Sequence, residues 1–308
     1  MGEYKIYSCQ DKSKYCEIVP NFIYNRFDLW DKSILDGEVE LYCYESEETR
    51  FYFEVLAGKT SAKLGVYLMN LSADVLKNIA DFVFATFKVS TVTYENGYSK
   101  LGDYIEHNHL RIELPETAEE LDARLSTKGK YNIKREKRLT DEKFGGYKII
   151  NLSALDEKAE KIWEHYFKFK NNTHSISYGL SVKEYCNKYH VTDIYVLLLG
   201  EEERIGSIIL SCEQCPIVYI ENLTYDTEIS SYSPGKILYD EYLKMLIAKG
   251  VKEIYLLGGN YSYKKRYSSI EETVYNATIY KNALIRCRYK LKKFIIRCLR
   301  YIKRLVKH

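Results

Sequence analysis

Short runs of alternating apolar and polar positions dominate the first third of the chain. Val39 to Tyr44 and Phe51 to Val55 alternate about the polar stretch Glu45-Ser46-Glu47-Glu48, the pattern of a β-hairpin. Leu64 to Leu71 reads as another strand. Ser72 then has the character of a helix N-cap, since Val75, Ile79, Phe82, Val83 and Phe87 follow at helical spacing. Val89 to Tyr94 reads as a strand that Asn96-Gly97 ends. Upstream, Tyr4 to Val19 has no clean period. Phe22, Phe27 and Trp30 suggest an aromatic helix or turn closed by Asp36-Gly37.

From His109 the pattern changes to strands and helices in turn. His109 to Leu114 predicts a strand ended by Pro115, and Thr117 to Glu120 has the spacing of a capping box. One long helix is expected from Glu119 to the stop at Gly145-Gly146. A strand (147–151), a helix (155–170), a polar loop (171–179) and a short helix (182–190) follow. Ile194 to Leu199 and Ile205 to Ser211 form a hairpin about Gly200. Then come a strand (217–225), a turn with Ser233, Pro234 and Gly235, a helix (234–249), a strand (252–257) and a last strand (274–280). A strand that passes through a glycine turn into a helix presents free backbone N–H groups, which suit phosphate.

Composition adds bounds. The chain has 308 residues, 46% hydrophobic and 29% charged, with only four prolines and 16 glycines, which fits one large globular domain or two smaller ones. Its net charge of +3 is unevenly spread. Residues 284–308 hold ten of the 46 Lys and Arg and no acid, so the remainder has 36 basic against 43 acidic residues, a net of −7. The N-terminal stretch lacks the apolar core of a signal peptide, and Ile6 stands where myristoylation wants Ser or Thr. No apolar run approaches the roughly 18 residues of a membrane span. Eight cysteines without an export signal are expected to be reduced thiols. Cys212-x-x-Cys215 lacks a second ligand pair for zinc and reads as a hairpin turn before Pro216, so no metal is expected.

The order of elements, with a phosphate-type turn between a central strand and the next helix, resembles the GNAT acyltransferase fold. Tyr131-Asn-Ile-Lys-Arg-Glu-Lys-Arg-Leu139 is similar to the basic helix of the FemAB-like and CelD(BcsL)-like acyltransferases. Ser233-Pro-Gly-Lys-Ile-Leu238 is similar to their shortened pyrophosphate loop. Lys249 to Gly258, followed by Tyr263, Lys264 and Tyr267, is similar to their terminal strand and the segment after it. The match spans about residues 109–282. It implies an α+β fold: a GNAT-like mixed sheet flanked by helices, as a tandem of two halves. Residues 1–108 would be a degenerate first copy, 109–283 the acyltransferase domain and 284–308 a basic amphipathic helix. Only Gly235 and Lys236 survive of the full loop's glycine-rich, basic pattern.

Acyl transfer to an amine needs a base for the amine, donors for a tetrahedral oxyanion and an acid for the leaving group. Glu221 lies on the strand before the turn, and strict alternation puts it on one face with Tyr219 and Leu223, so it is the candidate base. Tyr263 and Lys264 follow the last core strand, where open α/β sites gather, and His174 lies in the polar loop; these complete the candidate catalytic set. Donor binding falls to Leu223, Tyr225, Tyr232, Ser233, Pro234, Gly235, Lys236 and Arg266. Lys128, Lys130, Lys134, Arg135, Lys137 and Arg138 cluster on the long helix, either as a site for a nucleotide or tRNA or as a solvated face. No helix-turn-helix, finger or RNP pattern points to specific DNA binding.

The expected activity is N-acyl transfer from acyl-CoA (acetyl-CoA) to an amine of a sugar or peptide in a cell-surface polymer precursor, which a lipid-linked acceptor would satisfy. One alternative is a FemAB-type transferase using aminoacyl-tRNA, although the helical arm those enzymes insert is missing. The other is a non-catalytic ligand- or membrane-binding protein of the same fold. The expected location is cytoplasmic, with the 284–308 helix on an anionic membrane surface.

Overall fold

The computed structural model describes residues 3–9, 38–65, 71–174, 181–189, 191–214, 217–258, 264–267 and 270–305. They divide into two compact units, one of residues 1–107 with 274–308 and one of residues 108–273.

The first unit opens with β1 (Tyr4–Ser8), an addition to the expected elements, then β2 (Glu38–Ser46), β3 (Arg50–Ala57) and β4 (Ser61–Gly65). These four pair antiparallel in sequence order. Helix α1 (Ala73–Phe87) follows, capped as expected by the Ser72 side chain, which accepts from the Val75 N–H. It returns the chain to β5 (Thr91–Gly97), parallel to β4. Leu76, Ile79, Val83 and Phe84 of α1 bury against Phe53, Val55, Leu64 and Val92 of the sheet. The strand expected over 64–71 begins earlier, at Ser61; residues 66–70 of that expectation lie outside the described residues, and Leu71 packs as the apolar residue before the helix cap.

The second unit repeats that plan. β7 (Tyr147–Ser153), β8 (Asp193–Leu199), β9 (Arg204–Gln214) and β10 (Ile217–Tyr225) pair antiparallel in order. A helix over Pro234–Ala248 then leads to β11 (Glu253–Gly258), parallel to β10. Four antiparallel strands, a helix and a parallel fifth strand thus occur twice, which is the tandem arrangement of a GNAT-like mixed sheet. The chain closes crosswise: β6 (Asp103–Glu113) pairs with β11, while β12 (Ile270–Tyr280) pairs with β5. Both strands start earlier than the hydrophobic pattern suggests, because their first residues, 103–108 and 270–273, are mostly exposed and show no apolar–polar alternation.

The helix expected over 119–144 is two helices, α2 (Ala118–Ala123) and α3 (Thr127–Phe144). Ser126 causes the break: its side chain accepts from the Gly129 N–H and starts a new helix, a role serine fills better than a helix interior. The capping box is half realised. Thr117 accepts from the Glu120 N–H, but the Glu120 carboxylate reaches the Glu116 N–H instead of its own cap. After a 3-10 turn at Glu157–Ala159, α4 (Glu160–His174) starts later than expected and continues through part of the expected polar loop. Helix α5 (Val182–Tyr189) follows, and the helix between β10 and β11 is α6. Helices α4 and α6 cover opposite faces of this sheet: Trp163, Tyr166 and Phe169 pack on Val196, Ile208 and Leu210, while Ile237, Leu238 and Tyr242 pack on Leu197, Ile209 and Ile220.

Gly200 makes the β8–β9 turn with φ +66°, and a Cβ there would stand 2.6 Å from the Phe144 carbonyl oxygen. Gly145 ends α3 at φ +79° with open space around it. Gly145→Ala should therefore cost about 1 kcal/mol of backbone strain, and Gly200→Ala clearly more, as a lower midpoint in urea unfolding followed by circular dichroism.

Candidate active site

β10 and β11 register over only three residue pairs, Ile217 with Glu253 through Tyr219 with Tyr255. The stacked rings of Tyr219 and Tyr255, 5.1 Å apart, close the paired part. Beyond it the strands separate, and both are irregular at that level. β10 bulges against β9 between Ile220 and Asn222, with Glu221 as the extra residue. β11 shifts register against β6 between Tyr255 and Gly258. A bulge bends a strand and re-aims its side chains. It also overturns strict alternation here: Ile220 and Leu223 both pack with the α6 side, while Glu221 acts on Lys170 of α4, the helix on the other face.

Parting the strands strips main-chain groups of their partners, which is costly when buried. Lys264 repairs one such loss: its Nζ donates to the Leu256 carbonyl oxygen of β11 at 2.5 Å, and the side chain is 6% exposed. Burial pulls its pKa down, the Glu221 carboxylate partly offsets this, and the result is about 8. A second buried lysine, Lys170 of α4, is shifted down by burial and held up by the same carboxylate. Glu221, half-buried, therefore sits in the field of two buried amines where β10 leaves β11. A carboxylate and an amine titrating near 8 can exchange protons with a substrate near neutrality.

Lys264 is placed by a deeper network. Tyr267, three residues on and fully buried, donates its hydroxyl to Asp240 of α6. Asp240 is itself wholly buried and receives Lys137 Nζ of α3 at 2.7 Å, with Lys244 at 3.4 Å. Burial alone would raise its pKa, but the bonds from Lys137 and Tyr267 hold it below the usual carboxylate range. Lys137 also reaches Glu241 at 2.6 Å. It belongs to this network and not to a solvated basic face.

The turn before α6 is more closed than the sequence implies. Ser233 has a left-handed backbone, φ 53°, and its side chain makes no cap bond. Pro234 has no N–H, and those of Lys236 and Ile237 turn back onto the Ser233 carbonyl. Gly235 contributes the remaining backbone donor of this first turn. A Cβ on it would lie 3.2 Å from Leu223 and Tyr225, so glycine lets α6 settle on β10. Lys236 Nζ pairs with Glu136 at 2.8 Å, and Tyr232 packs edge-on against Phe144. Arg266 is partly buried between Lys264 and Tyr267. His174 ends α4 instead of lying in a loop. Tyr263 and Cys215 lie outside the described residues.

Glu221 and Lys264 thus come together, while Ser233 to Lys236 form a neighbouring turn on the α6 side. Lys170 was missed, although it was legible: it falls on the helical stripe Ile162, Trp163, Tyr166, Phe169, where a lysine is out of place. Among the described residues no cluster of His, Cys, Asp and Glu could hold a metal ion.

No curated protein matches this chain by sequence. Residues 127–265 match the family model described as "Acetyltransferase (GNAT) domain". Among solved structures, FemX is similar at a TM-score of 0.59 and 10% identity, covering 84% of this chain and 91% of that one. The C-terminal domain of a putative lysylphosphatidylglycerol synthetase from Agrobacterium fabrum is similar at 0.53 and 10%, covering 89% and 93%. L-PGS from Bacillus licheniformis is similar at 0.50 and 11%, covering 75% and 81%. At such identities these structures share the fold.

Two outcomes test the site. Because the folded state holds Lys264 near 8 and the unfolded chain near 10.5, the unfolded state binds more protons between those values. The stability of the wild type relative to Lys264→Met should therefore rise from pH 8 to pH 10.5 in denaturant titrations. Glu221→Gln should move the Lys264 titration midpoint still lower, read by NMR of the 13C-methylated lysines. The matched residues contain α3, β10, the turn before α6 and Lys264, so it is this part of the chain that is similar to a GNAT acetyltransferase domain.

Proposed function

We propose that the chain is an N-acyltransferase that moves an acyl group onto an amine of a sugar or peptide in a cell-surface polymer precursor. The observation that carries this reading is the separation of β10 from β11 with Glu221 at the bulge and Lys264 on the freed Leu256 carbonyl. In the reaction the amine nitrogen attacks the donor carbonyl carbon, forming the C–N bond, and the bond to the donor's sulfur or oxygen breaks. Glu221 takes the proton from the amine. Lys264, protonated below about pH 8, supplies one to the departing group. In this reading main-chain N–H groups of β10 beyond Tyr219, where the pairing with β11 ends, stabilise the developing oxyanion.

Acyl-CoA is the first donor to test. A second reading, aminoacyl-tRNA, is favoured by the start of α6, where two of the amides are turned inward and Lys236 is held by Glu136. Such a turn offers little to a pyrophosphate. FemX and the lysylphosphatidylglycerol synthetases share the fold, and a cell-envelope acceptor fits their company.

The last helix, α7 (Ala283–Leu305), supports a place at a membrane surface. Leu284, Leu291, Ile295, Leu299 and Ile302 are all about half exposed or more and form one outward apolar stripe. No described helix is long and apolar enough to cross a membrane. The stripe and its flanking cations suit the headgroup layer of an anionic leaflet on the cytoplasmic side.

Incubation with labelled acetyl-CoA, and separately with labelled aminoacyl-tRNA, should leave label on an amino-sugar or peptide precursor with one donor. Glu221→Gln should slow that transfer by about 10²–10⁴-fold. Absence of label with both donors, together with no thermal shift from acyl-CoA, would overturn the reading.

A further inference from the structure

The first unit contains a cleft of about 550 Å³ between α7 and the edge formed by β5, the start of β6 and β12. Its walls mix acids and bases, yet the acids are already matched within the unit. Asp103 is bound by Arg286 and by Lys290 at 3.4 Å, and Glu95 by Lys63 at 3.5 Å. Lys293 sits 4.7 Å over the Tyr289 ring, and Arg297 lines the cleft with no ion pair among the described residues. The cleft therefore keeps two positive charges without a carboxylate partner among the described residues.

Helix geometry relates this cleft to the apolar stripe. Arg286, Lys290, Lys293 and Arg297 recur every three or four residues and share one face, which is turned to the body. Leu284, Leu291, Ile295 and Ile302 lie on the opposite face and look outward. With the stripe in the acyl region of a leaflet, the cationic face and its cleft fall at phosphate depth.

We infer that this cleft is a binding site for the phosphate head group of an anionic membrane lipid, with Lys293 and Arg297 holding the phosphate oxygens. The inference rests on the membrane reading of α7 and adds a saturable site to it. Arg297 can engage a phosphate through two N–H groups, while Lys293 contributes a point charge. The site lies outside the Glu221–Lys264 cluster, so it serves to dock the protein on a lipid and not to carry the chemistry.

The test uses the full chain and two double variants with the same change in charge. Lys293→Glu with Arg297→Glu alters the cleft. Arg288→Glu with Lys292→Glu alters exposed cations that do not line it. Monomeric dihexanoyl phosphatidylglycerol should bind saturably in calorimetry. The cleft variant should weaken it by about tenfold or more, the loss of a charged hydrogen bond, and the other variant should leave it within about twofold. Equal weakening in both variants, or no saturable binding while the wild type still sediments with phosphatidylglycerol vesicles, would overturn the cleft site and leave the membrane reading standing. Failure to sediment with those vesicles would overturn the membrane reading itself. Binding of glycerol phosphate as tight as that of the short-chain lipid would make the ligand a soluble phosphate and overturn the lipid assignment.

Discussion

The second unit depends on how a wholly buried carboxylate is kept charged. Asp240 sits on α6 with no exposure to water, a position that is costly for an ion unless every oxygen is served. Lys137, Lys244 and Tyr267 serve it, and each comes from a different place: α3, the next turn of α6, and the segment after β11. One carboxylate thus fixes a helix against a helix and both against the stretch that carries Lys264. Drift of Tyr267 would leave Asp240 short of a donor.

From this anchoring the candidate chemistry follows. Two parallel strands that pair over three residues and then part leave main-chain groups facing a gap. Such a gap is tolerated because Lys264, positioned by Tyr267, caps the Leu256 carbonyl. Burial makes that lysine easier to deprotonate, and the Glu221 bulge brings a carboxylate into its field. The opening of the sheet and the candidate proton-transfer groups thus share one place.

The first unit repeats the strand order, helix and parallel return strand, with a core of its own built on Phe53, Val55, Ile79 and Val83. Among its described residues there is no counterpart of the two buried lysines or of the bulged glutamate. What distinguishes it is α7, whose cationic face lies inward over Asp103 and whose apolar stripe faces outward. The two units thus carry different features on one plan, the candidate acid–base groups in the second and a candidate lipid contact in the first.

Local patterns determined much of this by themselves. Alternation fixed the hairpins at Glu45–Glu48 and Gly200, Ser72 and Thr117 announced their helices, and the amphipathic tail was plain from its spacing, because each depends on neighbours within a few residues. The order of elements was enough to suggest the GNAT plan. Tertiary structure decided the rest. Only packing could draw the Lys236 side chain onto Glu136 and seat Gly235 against Leu223, since both partners lie far from the turn in sequence. Only a bulge, set by pairing with β9, could part Glu221 from the face of Leu223. And only burial in a folded core could make Lys170 and Lys264 unlike the other lysines, because desolvation is a property of the surroundings and not of the residue.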